Sequence, residues 1–356
     1  MGCILGGAIG DALGYQCEFT VDIKEREFTT FKDDYGIFSD DTQMMLFTIN
    51  GLLWGATRAA AKGIAPLPIS CINYAYRDWY KTQNNLTADE QNVSWIDKIP
   101  AMRHRRAPGF TCLNALNTPN PHQFGTIDNS VNQSKGCGCT MRVAPVGIFA
   151  HSLQETIELS AESAAITHGH PLGIISTAFI GSLIYLVTHE TGRSFSEQFH
   201  AALESTNQFA AQHFHYQYQS DFAKIINEAF TLSQNHSHDI DNIGQLGQGW
   251  VAEEAAAIAT YCCLRYPDNY ADAVIASVNH GGDSDSTGII TGNIMGARLG
   301  IRAIPQYYLD HIEQYELLTE LATDFANGVP SDFNDSSSDS SWSTKYIKCQ
   351  PLQESL

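Results

Sequence analysis

The chain is expected to fold as an all-α protein, on three observations. Ala, Leu and Ile recur every three or four residues across 43–61, 154–167, 172–188, 251–265 and 287–300, the period of a helix with one apolar face. The alternation of a half-buried strand is scarce, and short extended pieces are expected only near Val143–Phe149 or within 18–31. Glycines recur at every fourth position twice: Gly2, Gly6, Gly10, Gly14 and Gly288, Gly292, Gly296, Gly300.

One glycine series lies near the N-terminus and the other near the opposite end of the chain. A spacing of four puts each series on one helix face. Glycine inside a helix costs about 1 kcal/mol relative to alanine, so eight of them need an offsetting gain, and close backbone approach is that gain. Each series lies in sequence beside an acidic residue, and the chain carries two acidic motifs. The first is Ser39-Asp40-Asp41-Thr42, whose Ser39 or Asp40 would cap the apolar-periodic run that follows. The second is Asp283-Ser284-Asp285-Ser286-Thr287 after His280-Gly281-Gly282. Carboxylates two residues apart at a helix start repel unless a cation joins them, and neighbouring hydroxyls add oxygen donors. An all-oxygen set suits Mg²⁺, Mn²⁺ or Ca²⁺ rather than zinc. The two clusters are therefore expected to meet and hold divalent metal for a hydrolytic reaction.

Between them, 81–140 is polar and rich in Asn, Pro and Gly, an excursion with short helices expected to line a cleft. It ends in Ser134-Lys135-Gly136-Cys137-Gly138-Cys139-Thr140, a small-residue turn whose backbone N–H groups can cradle phosphate. Thr167-His168-Gly169-His170-Pro171 follows, a helix-end turn in which His168 is the stronger functional candidate. The uncharged stretch 171–187 contains Ser176, Thr177, Gly181 and Ser182 and is expected to be a buried core helix. From Ser331 the composition is Ser- and Asp-rich, so 331–356 is expected to be a disordered tail after a single domain spanning 1–330.

Composition excludes some classes. A net charge of −19, from 20 Lys+Arg against 39 Asp+Glu, argues against a nucleic-acid binder. Nine cysteines with no CxxC pair suggest reduced, packed thiols and a cytoplasmic protein. Two rival motifs fail on spacing. An EF-hand starting at Asp283 needs Glu at its twelfth position, which is Ile294. The D-x-D-x-T signature of haloacid-dehalogenase-like phosphatases closes an apolar strand near the start of its domain, whereas here the chain is nearly finished.

Taken in order, the motifs resemble the ADP-ribosylglycohydrolase family, which includes the dinitrogenase reductase-activating glycohydrolase. The matching stretches are Gly6–Gly14 with Glu18-Phe19, then Ser39–Thr42, Lys135–Gly147, Thr167–Pro171, Leu246–Glu254 and Gly281–Thr287. The resemblance implies a compact multi-helical fold with a central metal-binding cleft. It implies two Mg²⁺ ions (Mn²⁺ as substitute) held by Ser39, Asp40, Asp41, Asp283, Asp285 and Ser286, with Thr287 as a fallback for Ser286. Catalytic roles fall to Asp40, Asp41, Asp285 and Glu18. Lys135, Gly136, Cys137, Gly138, Cys139 and His168 would bind substrate, with Cys137 standing where many members have Asn. The implied substrate is an ADP-ribosylated protein, arginine-linked as first choice, and the implied ligand is ADP-ribose. A monomer that binds neither nucleic acid nor membrane is expected. The alternative is an ADP-ribose-binding or toxin-neutralising protein with little catalysis.

Overall fold

Two helices packed backbone to backbone form the axis of the molecule. Gly2–Tyr15 and Ser284–Leu299 run antiparallel, Gly2 lying beside Gly296 and Gly14 beside Ser284. A Cβ on Gly10 would sit 2.1 Å from the carbonyl oxygen of Gly288, and one on Gly292 2.1 Å from that of Gly6. Both glycine series therefore face each other, and no side chain fits between the helices. Asn293 seals the contact by donating its amide to the Cys3 carbonyl at 2.8 Å. Antiparallel packing has one consequence for the site. It brings the end of the Gly2–Tyr15 helix, and Glu18 just beyond it, to the start of the Ser284–Leu299 helix.

The computed structural model describes residues 1–20, 23, 24, 26–87, 91–331, 333 and 340–352. Among these are seventeen α-helices and no strand, only the isolated bridges Gly36–Ile312 and Gly136–Val251. Among the described residues, the extended pieces expected near Val143–Phe149 and in 18–31 do not form. Ala144–Phe149 is a helix with Pro145 in its first turn, the position that proline tolerates. The described part of 18–31 is irregular chain, and positions 21, 22 and 25 lie outside the described residues.

Pro171–His189 is long and apolar enough to cross a membrane by composition, but its sides are buried by neighbouring helices. It packs against Leu153–Ala165, Phe195–His213 and Ala252–Arg265. Its Thr177, Ser182 and Thr188 hydroxyls donate to carbonyls four residues back, while Ser176 Oγ has no partner among the described residues. All nine cysteines are free thiols, and all but Cys137 are buried.

The tail differs from expectation. Positions 332, 334–339 and 353–356 lie outside the described residues, but Ser340–Tyr346 is a docked helix. Trp342 and Tyr346, four residues apart, share one helix face and are buried, their ring centroids 4.6 Å apart. The Trp342 indole N–H donates to Thr57 Oγ1 at 3.2 Å. The Lys345 ammonium is buried between Glu320, at 2.8 Å, and Asp324. Ser-rich composition concealed an aromatic pair at helical spacing. Trp342→Ala is expected to cost about 3 kcal/mol, the usual range for a buried indole, as a lowered midpoint in urea denaturation.

Candidate active site

The starts of the Asp40–Lys62 and Ser284–Leu299 helices and the chain just past the Gly2–Tyr15 helix converge on a cavity of about 230 Å³. Its lining includes Glu18, Asp40, Asp41, Asp283, Asp285 and Ser286, together with Gly136, Cys137, Gly138 and His168. The two acidic motifs therefore meet. The Ser286 hydroxyl donates to Asp41 Oδ2 at 2.7 Å, across 245 positions of sequence. One carboxylate oxygen each from Glu18, Asp283 and Asp285 lies within 4.8 Å of the other two. Helix N-termini favour negative charge, which is why the acids sit where the Asp40–Lys62 and Ser284–Leu299 helices begin.

Asp11, which carried no assigned role in the sequence reading, builds the floor. Its Oδ1 accepts from the Ser39 N–H and its Oδ2 from the Thr42 N–H, both at 2.9 Å. A carboxylate on one helix thus caps another and fixes Asp40 and Asp41 between those two anchors. Its spacing beside Gly10 was visible in the chain, but a cap supplied from a separate helix leaves no local signal. On the other side, the Asp40 N–H donates to the Arg106 carbonyl at 3.1 Å. Arg106 is itself held by an ion pair to buried Glu313.

The electrostatics are dominated by desolvated like charges. Burial, then the Asp285 charge, raises Asp11 to about 7 and Glu18 to about 8. The same two causes lift Asp40, Asp41 and Asp283 well above the ordinary carboxylate range. Burial also raises Asp285. Glu18 Oε2 is buried with no hydrogen-bond partner among the described residues. Oxygen donors crowded together, with one left unpartnered, are the donor set of a hard divalent cation, so the residues fit the implied metal.

The remaining expected residues divide. Cys137 is at the cluster, its thiol donating to Asp283 Oδ2 at 2.8 Å. Ser39 is fully buried and caps its own helix, accepting from the Asp41 N–H at 3.1 Å, and it does not line the cavity. Lys135 is drawn away by an ion pair to Glu253, and its carbonyl accepts from the Ala252 N–H at 2.8 Å. Cys139 lies under the loop, its thiol on the Gly136 and Gly173 carbonyls. The loop's contribution to the cavity thus narrows to Gly136, Cys137 and Gly138. Thr287 turns inward, donating to carbonyls beneath it and bonding His280 Nε2 at 2.9 Å, so Ser286 is the hydroxyl at the site. Phe110 and Trp250 add exposed aromatic surface to the lining and had no assigned role in the sequence reading.

Comparison with known proteins identifies the family. The ADP-ribosylglycohydrolase family model matches residues 1–334. The chain belongs to the ADP-ribosylglycohydrolase family. Its members are glycosidic-bond hydrolases that remove ADP-ribose from proteins, and the chain is an enzyme of that class. It is similar to the ADP-ribosylarginine hydrolase Tri1 of Serratia proteamaculans, with 25% identity over 90% of this chain and 77% of that protein. It is also similar to the ADP-ribosyl-[dinitrogen reductase] glycohydrolase of Rhodospirillum rubrum, with 24% identity over 88% and 90% of the two chains. A solved structure, an ADP-ribosylglycohydrolase-related protein complex, shares the fold with TM-score 0.62 and 21% identity, over 92% of this chain and 96% of that one.

Proposed function

We propose that this chain is a divalent-metal-dependent hydrolase that frees ADP-ribose from arginine side chains of modified proteins. The observation that carries the reading is the convergence of Glu18, Asp40, Asp41, Asp283 and Asp285 on one cavity beside the Gly136–Gly138 loop. The arginine preference is supported by similarity to a relative named an ADP-ribosylarginine hydrolase. Magnesium is the first choice because every donor at the cluster except Cys137 is an oxygen.

Asp40, Asp41, Asp283, Asp285 and the Ser286 hydroxyl would hold the metal, with Glu18 within reach of it. When bound, the metal supplies Lewis acidity and offsets the charge of the carboxylates. The reaction breaks the bond between ribose C1″ and the guanidino nitrogen and joins a water oxygen to C1″. One proton leaves the water and one reaches the departing guanidine. Glu18 suits the proton transfer by position: it is half-buried at the cavity, and its Oε2 has no hydrogen-bond partner among the described residues. The Gly136–Gly138 loop and His168 would seat the diphosphate. The target is an ADP-ribosylated protein, and we place the enzyme in the cytoplasm as a monomer.

The deciding assay follows ADP-ribose release from arginine-linked and serine-linked substrates with Mg²⁺, Mn²⁺ or EDTA. Release from the arginine conjugate that stops in EDTA and returns with added Mg²⁺ is expected. Release that is indifferent to EDTA, or confined to the serine conjugate, would refute the reading.

A further inference from the structure

Arg142 is a buried cation without a counter-charge. It is 1% exposed, and among the described residues no carboxylate pairs with it. Its Nη1 faces the sulfurs of Met44 at 3.4 Å and Cys112 at 3.3 Å, and the guanidinium lies 4.3 Å from the Tyr76 ring centroid. Its Nε has no hydrogen-bond partner. Sulfurs and a ring face are weak acceptors, so the group's one strong bond is the 2.6 Å contact from Nη2 to Thr167 Oγ1.

Thr167 Oγ1 also lies 2.8 Å from His168 Nδ1. A guanidinium only donates, so the hydroxyl oxygen accepts from Arg142. The hydroxyl proton then has one partner left, the Nδ1 lone pair. With Nδ1 accepting, the ring proton sits on Nε2. Burial and the Arg142 charge push the His168 pKa down to about 3, so the ring is neutral. Nε2 makes no hydrogen bond to the described protein and faces the glycine loop. A Cβ on Gly136 would lie 3.4 Å from it and one on Gly138 3.5 Å. His168 and both glycines line the cavity.

We propose that Arg142 and Thr167 are positioning residues that fix His168 as an Nε2–H donor to an anionic oxygen of the bound ligand. This role rests on the reading of the cleft as an ADP-ribose site, where that oxygen belongs to the diphosphate. Ionised carboxylates are acceptors only, so the diphosphate oxygens need hydrogen-bond donors elsewhere on the lining. A neutral imidazole N–H backed by a buried positive charge is such a donor, and the missing glycine side chains leave room to approach it.

The experiment pairs ¹⁵N NMR of His168 with calorimetric binding of ADP-ribose in Mg²⁺, using wild-type protein, Thr167→Val and Thr167→Ser. The wild-type ring should show one tautomer with the proton on Nε2. Thr167→Val, which keeps the shape and removes the hydroxyl, should lose that fixed tautomer and bind ADP-ribose about tenfold more weakly. Thr167→Ser should restore both. A wild-type His168 protonated on Nδ1, or a Thr167→Val protein with unchanged tautomer and affinity, overturns the relay. Should Thr167→Val fail to fold, the wild-type spectrum alone decides the tautomer. Wild-type protein that binds no ADP-ribose would sink the cleft reading itself, whereas normal binding with an Nδ1-protonated ring sinks only the relay.

Discussion

Asp285→Ala is expected to lower ADP-ribose release on the order of 1,000-fold while making the metal-free protein more stable. Both effects come from one cause. The Asp285 charge is the first like charge acting on Asp11, Glu18, Asp40, Asp41 and Asp283, so removing it takes away a proposed metal ligand and relieves every neighbour. A gain of about 1 kcal/mol is expected in EDTA, seen as a higher melting temperature, and it should shrink or reverse when Mg²⁺ is added. The pH dependence has a fixed sign. These carboxyls have folded pKa values above their unfolded ones, so their contribution to stability is full below about pH 4. It is lost as pH rises through the folded values, which reach about 7 for Asp11 and about 8 for Glu18. The metal-free wild type should therefore lose stability between about pH 4 and about pH 8, with a shallower loss in Asp285→Ala. Thermal melts across that range in EDTA measure it. A variant that is inactive and also less stable at every pH would mean that Asp285 is structural.

Gly10→Ala is expected to destabilise the fold by about 2 kcal/mol, although alanine is the better helix former. Its methyl group would meet the Gly288 carbonyl at 2.1 Å, and backbone on both sides leaves nothing flexible to give. The helices must part. Since Asp11 stands on one and Asp283 and Asp285 open the other, activity should fall together with stability. An exposed control, Gly192→Ala, has no neighbour within 4 Å at its Cβ and should leave both unchanged. Urea denaturation and release assays on the two variants measure the difference.

Periodic features of the chain translated directly into structure. The apolar spacing named the helices, and the two glycine series named the pair at the axis, because a spacing of four has only one geometric meaning in a helix. The acidic motifs were legible since carboxylates crowded at a helix start are costly without a cation. What stayed hidden was carried by contacts between distant positions. Asp11 caps a helix other than its own, Lys135 is claimed by Glu253, and Trp342 docks against Thr57, all through partners that no local pattern identifies. Glu18 was legible as a motif residue, but its place beside Asp283 and Asp285 follows only from the antiparallel packing of the two glycine helices.

The central claim is that the converging carboxylates form one metal site. Crystals soaked in Mn²⁺, with anomalous scattering collected at the manganese edge, test it most directly. The account predicts anomalous density in the cavity among Asp40, Asp41, Asp283 and Asp285, and its loss in Asp285→Ala crystals. A cavity without manganese density in the wild type, or density that persists unchanged in the variant, would contradict it.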